Sequence, residues 1–159
     1  MLINLTGKIS AYSLVAVPAM LLSKSDDGVT SSAILKVWRR IYEYGHAYGP
    51  KLAAVTSTAF AYLAWSTSGR SASRTPMLMH SAAASLVLGI VPYTLIFIVP
   101  TNDQLSAQAA GEDVSTLASK DHSNEKSAEQ LLNRWAVLNG VRGLLPFAGG
   151  VLGLLTAIN

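Results

Sequence analysis

The residues with the most chemical content lie in one short run, Trp135-Ala-Val-Leu-Asn139-Gly-Val-Arg142-Gly-Leu-Leu-Pro146. On an α-helix, positions 135, 139, 142 and 146 recur at i, i+4, i+7 and i+11, so all four share a narrow stripe. An indole offers a flat apolar face and one N–H. An amide both donates and accepts, and a guanidinium is a permanent cation with five donors. Side by side, these groups could hold an anionic or phenolic ligand against an aromatic plane. They could equally form a structural contact in which Arg142 pairs with helix carbonyls or a carboxylate. No other charge follows up to Ile158, and the only carboxylates expected within reach are Glu43 and Asp103.

The elements that must position this stripe follow from composition. Half of the 159 residues are hydrophobic and 13% are charged, against about a quarter charged in ordinary soluble domains. The charges fall in blocks separated by long uncharged runs, the pattern of a polytopic membrane protein. The reading is an all-α, four-transmembrane-helix bundle, a single membrane domain with spans at about 5–22, 46–66, 76–99 and 133–157. The first span lacks the basic start of a cleavable leader and is expected to stay in place. Ser23 to Gly28 reads as a polar turn. A short amphipathic interfacial helix is expected between spans 1 and 2, with Ile34, Trp38 and Ile41 on one face and Lys36, Arg39, Arg40 and Glu43 opposite. That face suits either the membrane surface or the bundle itself. Thr75-Pro76 resembles a cap followed by a first-turn proline, and Pro92 should kink the third span. The stretch at about 103–127 reads as a mobile loop, and Ser127-Ala-Glu-Gln130 as a capping box opening the last helix. Gly149 and Gly153 permit close helix packing, within the bundle or in a homodimer.

Lys24, Lys36, Arg39, Arg40, Lys120, Lys126 and Arg134 fall in the 1–2 and 3–4 connections. Arg70, Arg74 and, at most, Lys8 fall on the other side. Basic residues collect on the cytosolic face, so the two long connections are expected there, in an integral membrane protein of the endoplasmic reticulum or another endomembrane. In that orientation one cytosolic-leaflet pocket would gather His46 and Tyr48 from span 2, Tyr93, Thr94 and Asn102 from span 3, and Trp135, Asn139 and Arg142 from span 4. An interfacial histidine needs no function, so His46 reads either as a base or as a structural residue. His80 belongs near the opposite end.

Several function classes are excluded or disfavoured. Zero cysteines rule out disulfides and thiolate chemistry. No histidine pair has metal-ligand spacing, and no Gly-rich phosphate loop follows a strand. No metal or tightly bound cofactor is expected. A net charge of +3 is too small and scattered for nucleic-acid binding. The expected partners are membrane lipid and an anionic or phenolic ligand.

Four pieces of the chain resemble a known family. They are the run from Leu5-Thr-Gly-Lys-Ile to Met20-Leu-Leu, Ile41-Tyr-Glu-Tyr-Gly-His46 leading to Pro50, Pro92-Tyr-Thr with Pro100-Thr-Asn102-Asp-Gln-Leu105, and the Trp135–Pro146 run. Together they are similar to the anthrone oxygenases, small four-helix membrane proteins of fungal aromatic polyketide pathways. The resemblance implies oxidation of an anthrone to an anthraquinone by O2 without metal or flavin. It implies a base, for which His46 is the candidate, with Tyr93 as proton relay. Arg142 and Asn139 would stabilise the anthrolate oxygen, Trp135 would stack on the rings, and Asn102 would close the mouth of the slot with Tyr48 and Thr94 in its lining. The alternative is a non-catalytic membrane protein that binds or shuttles a hydrophobic aromatic metabolite.

Overall fold

Gly28 is the sharpest punctuation in the first third of the chain. Its φ of 67° ends one helix, a left-handed conformation that glycine adopts without a Cβ clash. Two residues later the Thr30 hydroxyl accepts from the Ala33 amide at 3.3 Å and starts the next helix. The computed structural model describes the backbone of residues 2–69, 73–114 and 122–158, all of it helix or short turn with no strand among the described residues. Four long helices result: α1 (residues 2–27), α2 (Ser31–Thr67), α3 (residues 75–114) and α4 (His122–Ile158).

Two of them are locally widened. α1 has a π turn at Tyr12–Ala16 and α3 another at Thr94–Ile98. In each case a proline, Pro18 or Pro100, stands two residues beyond the π turn. Proline supplies no N–H, and its ring crowds the carbonyl four residues back, so the helix opens to make room. In α3 the ladder also breaks at Gly89, next to Leu88, whose carbonyl would meet the Pro92 ring.

Four sequence expectations are corrected. The amphipathic segment is no separate interfacial helix but the first part of the 37-residue α2, which runs through Gly45, Gly49 and Pro50. Its Ile34, Leu35 and Trp38 are buried among the other helices, so the apolar face is satisfied by protein. The expected loop at 103–127 is helical through Val114 and again from His122, with 115–121 outside the described residues. Leu105 and Ala109 are buried there, and this packing outweighs a polar composition. α4 therefore opens several residues ahead of Ser127, and Ser23 to Asp27 continue α1 rather than turn.

Consecutive helices run antiparallel. α2 packs on α3, α3 on α4, and α4 on α1, while the α1–α2 seam is the thinnest. Two cores result. One holds Val17, Trp38, Ile98, Leu105, Leu132 and Trp135, and the other holds Ile9, Ala53, Phe60, Ala83, Val87 and Ile90. Gly149 and Gly153 serve the second. A Cβ at 149 would lie 3.2 Å from the Ala83 carbonyl oxygen, and one at 153 would lie 2.6 Å from the Phe60 ring. The outer surface is apolar, with Leu14, Ile96, Leu144 and Leu154 each more than 60% exposed. The stretches Thr75–Ala110 and Ala128–Ile158 are long and apolar enough to cross a membrane.

Replacing Gly149 with Val should lower stability by about 1–3 kcal/mol through overpacking against backbone. Gly7→Ala, with nothing within 4 Å, should leave stability unchanged or raise it by up to about 1 kcal/mol. Thermal unfolding in detergent micelles measures both.

Candidate functional site

The two cores do not meet, and a cleft of about 450 Å³ separates them, well within the ~300–1,000 Å³ of small-molecule sites. All four helices line it: Lys8, Ile9 and Tyr12 from α1, residues between Ile41 and Ala53 from α2, residues between Ile90 and Asn102 from α3, and Trp135, Asn139 and Arg142 from α4. The lining is largely aliphatic and aromatic.

One end is an aromatic wall. The Trp135 Nε1–H donates to Asn102 Oδ1 at 2.8 Å, both residues being buried. The Trp135 ring meets Trp38 edge-on at 6.0 Å between centroids, and Trp38 stacks on Tyr42 at 5.5 Å. Tyr42 in turn reaches the His46 ring at 5.8 Å. Asn102 reaches this wall from α3, four residues beyond the π turn at Thr94–Ile98.

The other end is built around Asn139, which is fully buried. Its Nδ2 donates to the Ile9 carbonyl at 3.2 Å and to Ser13 Oγ at 3.0 Å, while its Oδ1 accepts from Nη2 of Arg142. The orientation of the amide is thus dictated on both sides. Arg142 Nη1 also reaches Thr94 Oγ1 at 3.5 Å, and Thr94 gives its own proton to the Ile90 carbonyl at 2.7 Å, which turns a lone pair toward the guanidinium. Arg142 Nε is buried without a partner. Neither carboxylate named as a possible partner takes that role: Glu43 pairs with Arg39 at 3.2 Å and Asp103 is exposed. Among the described residues no Asp or Glu lines the cleft. A guanidinium steered only by neutral acceptors keeps its charge available to a ligand.

Seven of the eight site residues read from the sequence line this cleft: His46, Tyr48, Thr94, Asn102, Trp135, Asn139 and Arg142. They differ in depth. His46 and Tyr48 are exposed at the rim, whereas Asn102, Trp135 and Asn139 are buried. Tyr93 is not in the lining, and its hydroxyl donates to the Leu138 carbonyl at 3.2 Å. His80 lies in the second core against Phe60, away from the cleft. Sequence reasoning missed the whole α1 wall. Ser13, the partner of Asn139, was visible only as one polar residue in an apolar run, and the π turn that carries it has no simple sequence signature. Among the described residues no cluster of three His, Asp or Glu side chains could hold a metal ion.

Residues 38–152 match the family model described as anthrone oxygenase, a stretch that includes every cleft residue of α2, α3 and α4. The chain belongs to the anthrone oxygenase family. Anthrone oxygenase encC of Aspergillus fumigatus is 51% identical over 97% of this chain and 86% of its own length. Anthrone oxygenase tpcL of the same species is 33% identical, covering 94% of this chain and 84% of its own. Noranthrone monooxygenase of Aspergillus flavus is 30% identical over 95% of this chain and 67% of its own. No solved structure matches. This member of the anthrone oxygenase family is therefore an oxygenase whose polar cleft residues sit between two apolar cores.

Trp135→Phe keeps a ring but strands the buried Asn102 Oδ1, and should cost about 1–3 kcal/mol of stability. The double variant Trp135→Phe/Asn102→Leu should recover part of that loss. A thermal-unfolding double-mutant cycle with non-additive terms is the expected result.

Proposed function

We propose that this chain is a single four-span membrane domain that oxidises an anthrone to the corresponding anthraquinone with O2. The observation that carries this reading is Arg142, held in an apolar cleft by Asn139 and Thr94 with no carboxylate in the lining among the described residues. Family membership supplies the reaction class. The apolar exterior on all four helices supports membrane embedding, since such patches on a soluble protein would drive association. The basic residues of the two long connections support a cytosolic location for those connections, in an endomembrane.

The chemistry follows from the substrate. Removing a proton from the anthrone methylene gives an anthrolate, an aromatic anion whose negative charge rests largely on oxygen. Arg142, positioned by Asn139, stabilises that oxygen. The anthrolate passes one electron to O2, giving a carbon radical and superoxide, which combine to form a C–O bond. Protonation gives the hydroperoxide. Loss of the remaining C–H proton with cleavage of the O–O bond releases water and leaves the second carbonyl, so one anthrone and one O2 yield one quinone and one water. The electron-rich anion is itself the reductant of O2, and we assign the protein no metal or flavin. His46, at the rim, is the base in this scheme. Trp135 packs against the ring plane, and Asn102, Thr94 and Tyr48 line the slot. Tyr93, whose proton is directed to Leu138, holds α3 against α4 rather than relaying protons.

Arg142→Leu should lower anthrone turnover by roughly 10²–10³-fold, while thermal unfolding stays cooperative. Near-normal turnover in that variant overturns the proposal, as does wild-type protein that binds an anthrone in air without O2 uptake. In His46→Ala the fall in rate on the acid side, where the base becomes protonated, should vanish from the pH–rate profile. An unchanged acid limb removes His46 from the scheme.

A further inference from the structure

The buried amide of Asn102 is only half used. The residue is 3% exposed, lines the cleft from α3 and accepts the Trp135 Nε1–H at Oδ1. An indole N–H can only donate, so it decides how the amide faces: Oδ1 toward Trp135 and Nδ2 away from it. Among the described residues the indole is the amide's one hydrogen-bond partner. Unlike the neighbouring Thr101 Oγ1, Nδ2 is not sealed off by protein atoms, and its N–H bonds open on the cleft. Asn139 has no such reserve, because its Nδ2 serves Ile9 and Ser13 and its Oδ1 serves Arg142.

Two contacts tie α3 to α4 at the cleft, Thr94 with Arg142 and Asn102 with Trp135. They are eight positions apart on α3 and seven on α4, roughly 10 Å along the helices at about 1.5 Å per residue. Arg142 thus presents its donors at one end of the cleft and Asn102 at the other. Two hydrogen bonds of about 2.9 Å and one ring bearing oxygens on opposite carbons fill a gap of that length. An anthrone carries only one of those oxygens, the one given to Arg142. Across its central ring stands a methylene, which accepts nothing. The oxygen that Asn102 fits is present only once O2 has reacted.

Building on the anthrone reading above, we infer that Asn102 Nδ2 is the hydrogen-bond donor for the oxygen that O2 delivers to the methylene carbon. It meets that oxygen first in superoxide, then in the carbon-bound hydroperoxide, and last as the second quinone carbonyl. In the closing step the remaining C–H proton leaves and its electron pair forms the C=O bond. The outer OH departs with the O–O pair and takes one proton to become water. A contact made with the oxygenated species but not with bound anthrone raises kcat rather than lowering KM.

Purified full-length protein in neutral detergent micelles is titrated under argon with an anthrone and with its anthraquinone, read by quenching of tryptophan fluorescence. Wild type is compared with Asn102→Leu and with Trp135→Phe/Asn102→Leu. The single variant strands the indole N–H and the double variant does not, so a packing defect separates the two, whereas loss of Nδ2 is common to both. In both, affinity for the quinone relative to the anthrone should fall roughly 3- to 10-fold, the range of a neutral hydrogen bond. In air, Asn102→Leu should lose roughly 10- to 100-fold in kcat, the range for a charged partner, with KM unchanged. A relative affinity unmoved in either variant overturns the inference, as does a raised KM with kcat intact. If only the double variant folds, its relative affinity decides. If wild type oxidises no anthrone in air, the functional reading fails by itself. The argon titration then decides Asn102: a fallen relative affinity keeps it as the contact for the second carbonyl, and an unmoved one removes it.

Discussion

A guanidinium inside an apolar four-helix bundle constrains everything around it. Placing arginine at mid-membrane costs on the order of 2.5–3.5 kcal/mol on insertion scales, and a hydrogen bond to a charged group returns about 1.5–3 kcal/mol. Asn139 can offset much of the cost, but only because its own amide is oriented by the Ile9 carbonyl and Ser13. Thr94 adds a longer contact. The α1 wall, the π turn that carries Ser13, and the broken ladder of α3 are thus parts of one device. They turn neutral acceptors toward Arg142 without cancelling its charge.

The same constraint shapes the packing. A continuous core would bury Arg142 entirely, and the bundle instead has two cores with a cleft between them. Trp38 closes one side, stacked on Tyr42 and edge-on to Trp135. Gly149 and Gly153 draw the helices together on the other side, against Ala83 and Phe60. Prolines at 18, 92 and 100 mark the irregular helix segments that open the space between. In physical terms the site exists because the helices are prevented from packing evenly.

Much of this was legible in the sequence. The stripe of Trp135, Asn139 and Arg142 follows from helical spacing alone, and seven of the eight nominated residues line the cleft. Periodicity reads faces well because it is local. It could not show that α1 supplies the fourth wall, since Ser13 and Asn139 are 126 positions apart. Nor did composition reveal that polar residues after Pro100 continue α3. Leu105 and Ala109 bury there against α2 and α4, a tertiary effect that overrides local polarity. The amphipathic face of Ile34, Trp38 and Ile41 was visible, but whether it met lipid or protein depended on neighbours far along the chain. Which group would accompany Arg142 was left open between helix carbonyls, a carboxylate and a ligand, because the two neutral acceptors that reach it, Asn139 and Thr94, depend on contacts between helices.

A structure of the protein with an anthraquinone bound would examine the role given to Arg142. One quinone carbonyl oxygen should lie within about 3.2 Å of the Arg142 guanidinium, with the ring plane packed against Trp135. A quinone bound elsewhere, or one in the cleft whose carbonyls avoid Arg142 while the guanidinium keeps only Asn139 and Thr94, would contradict it.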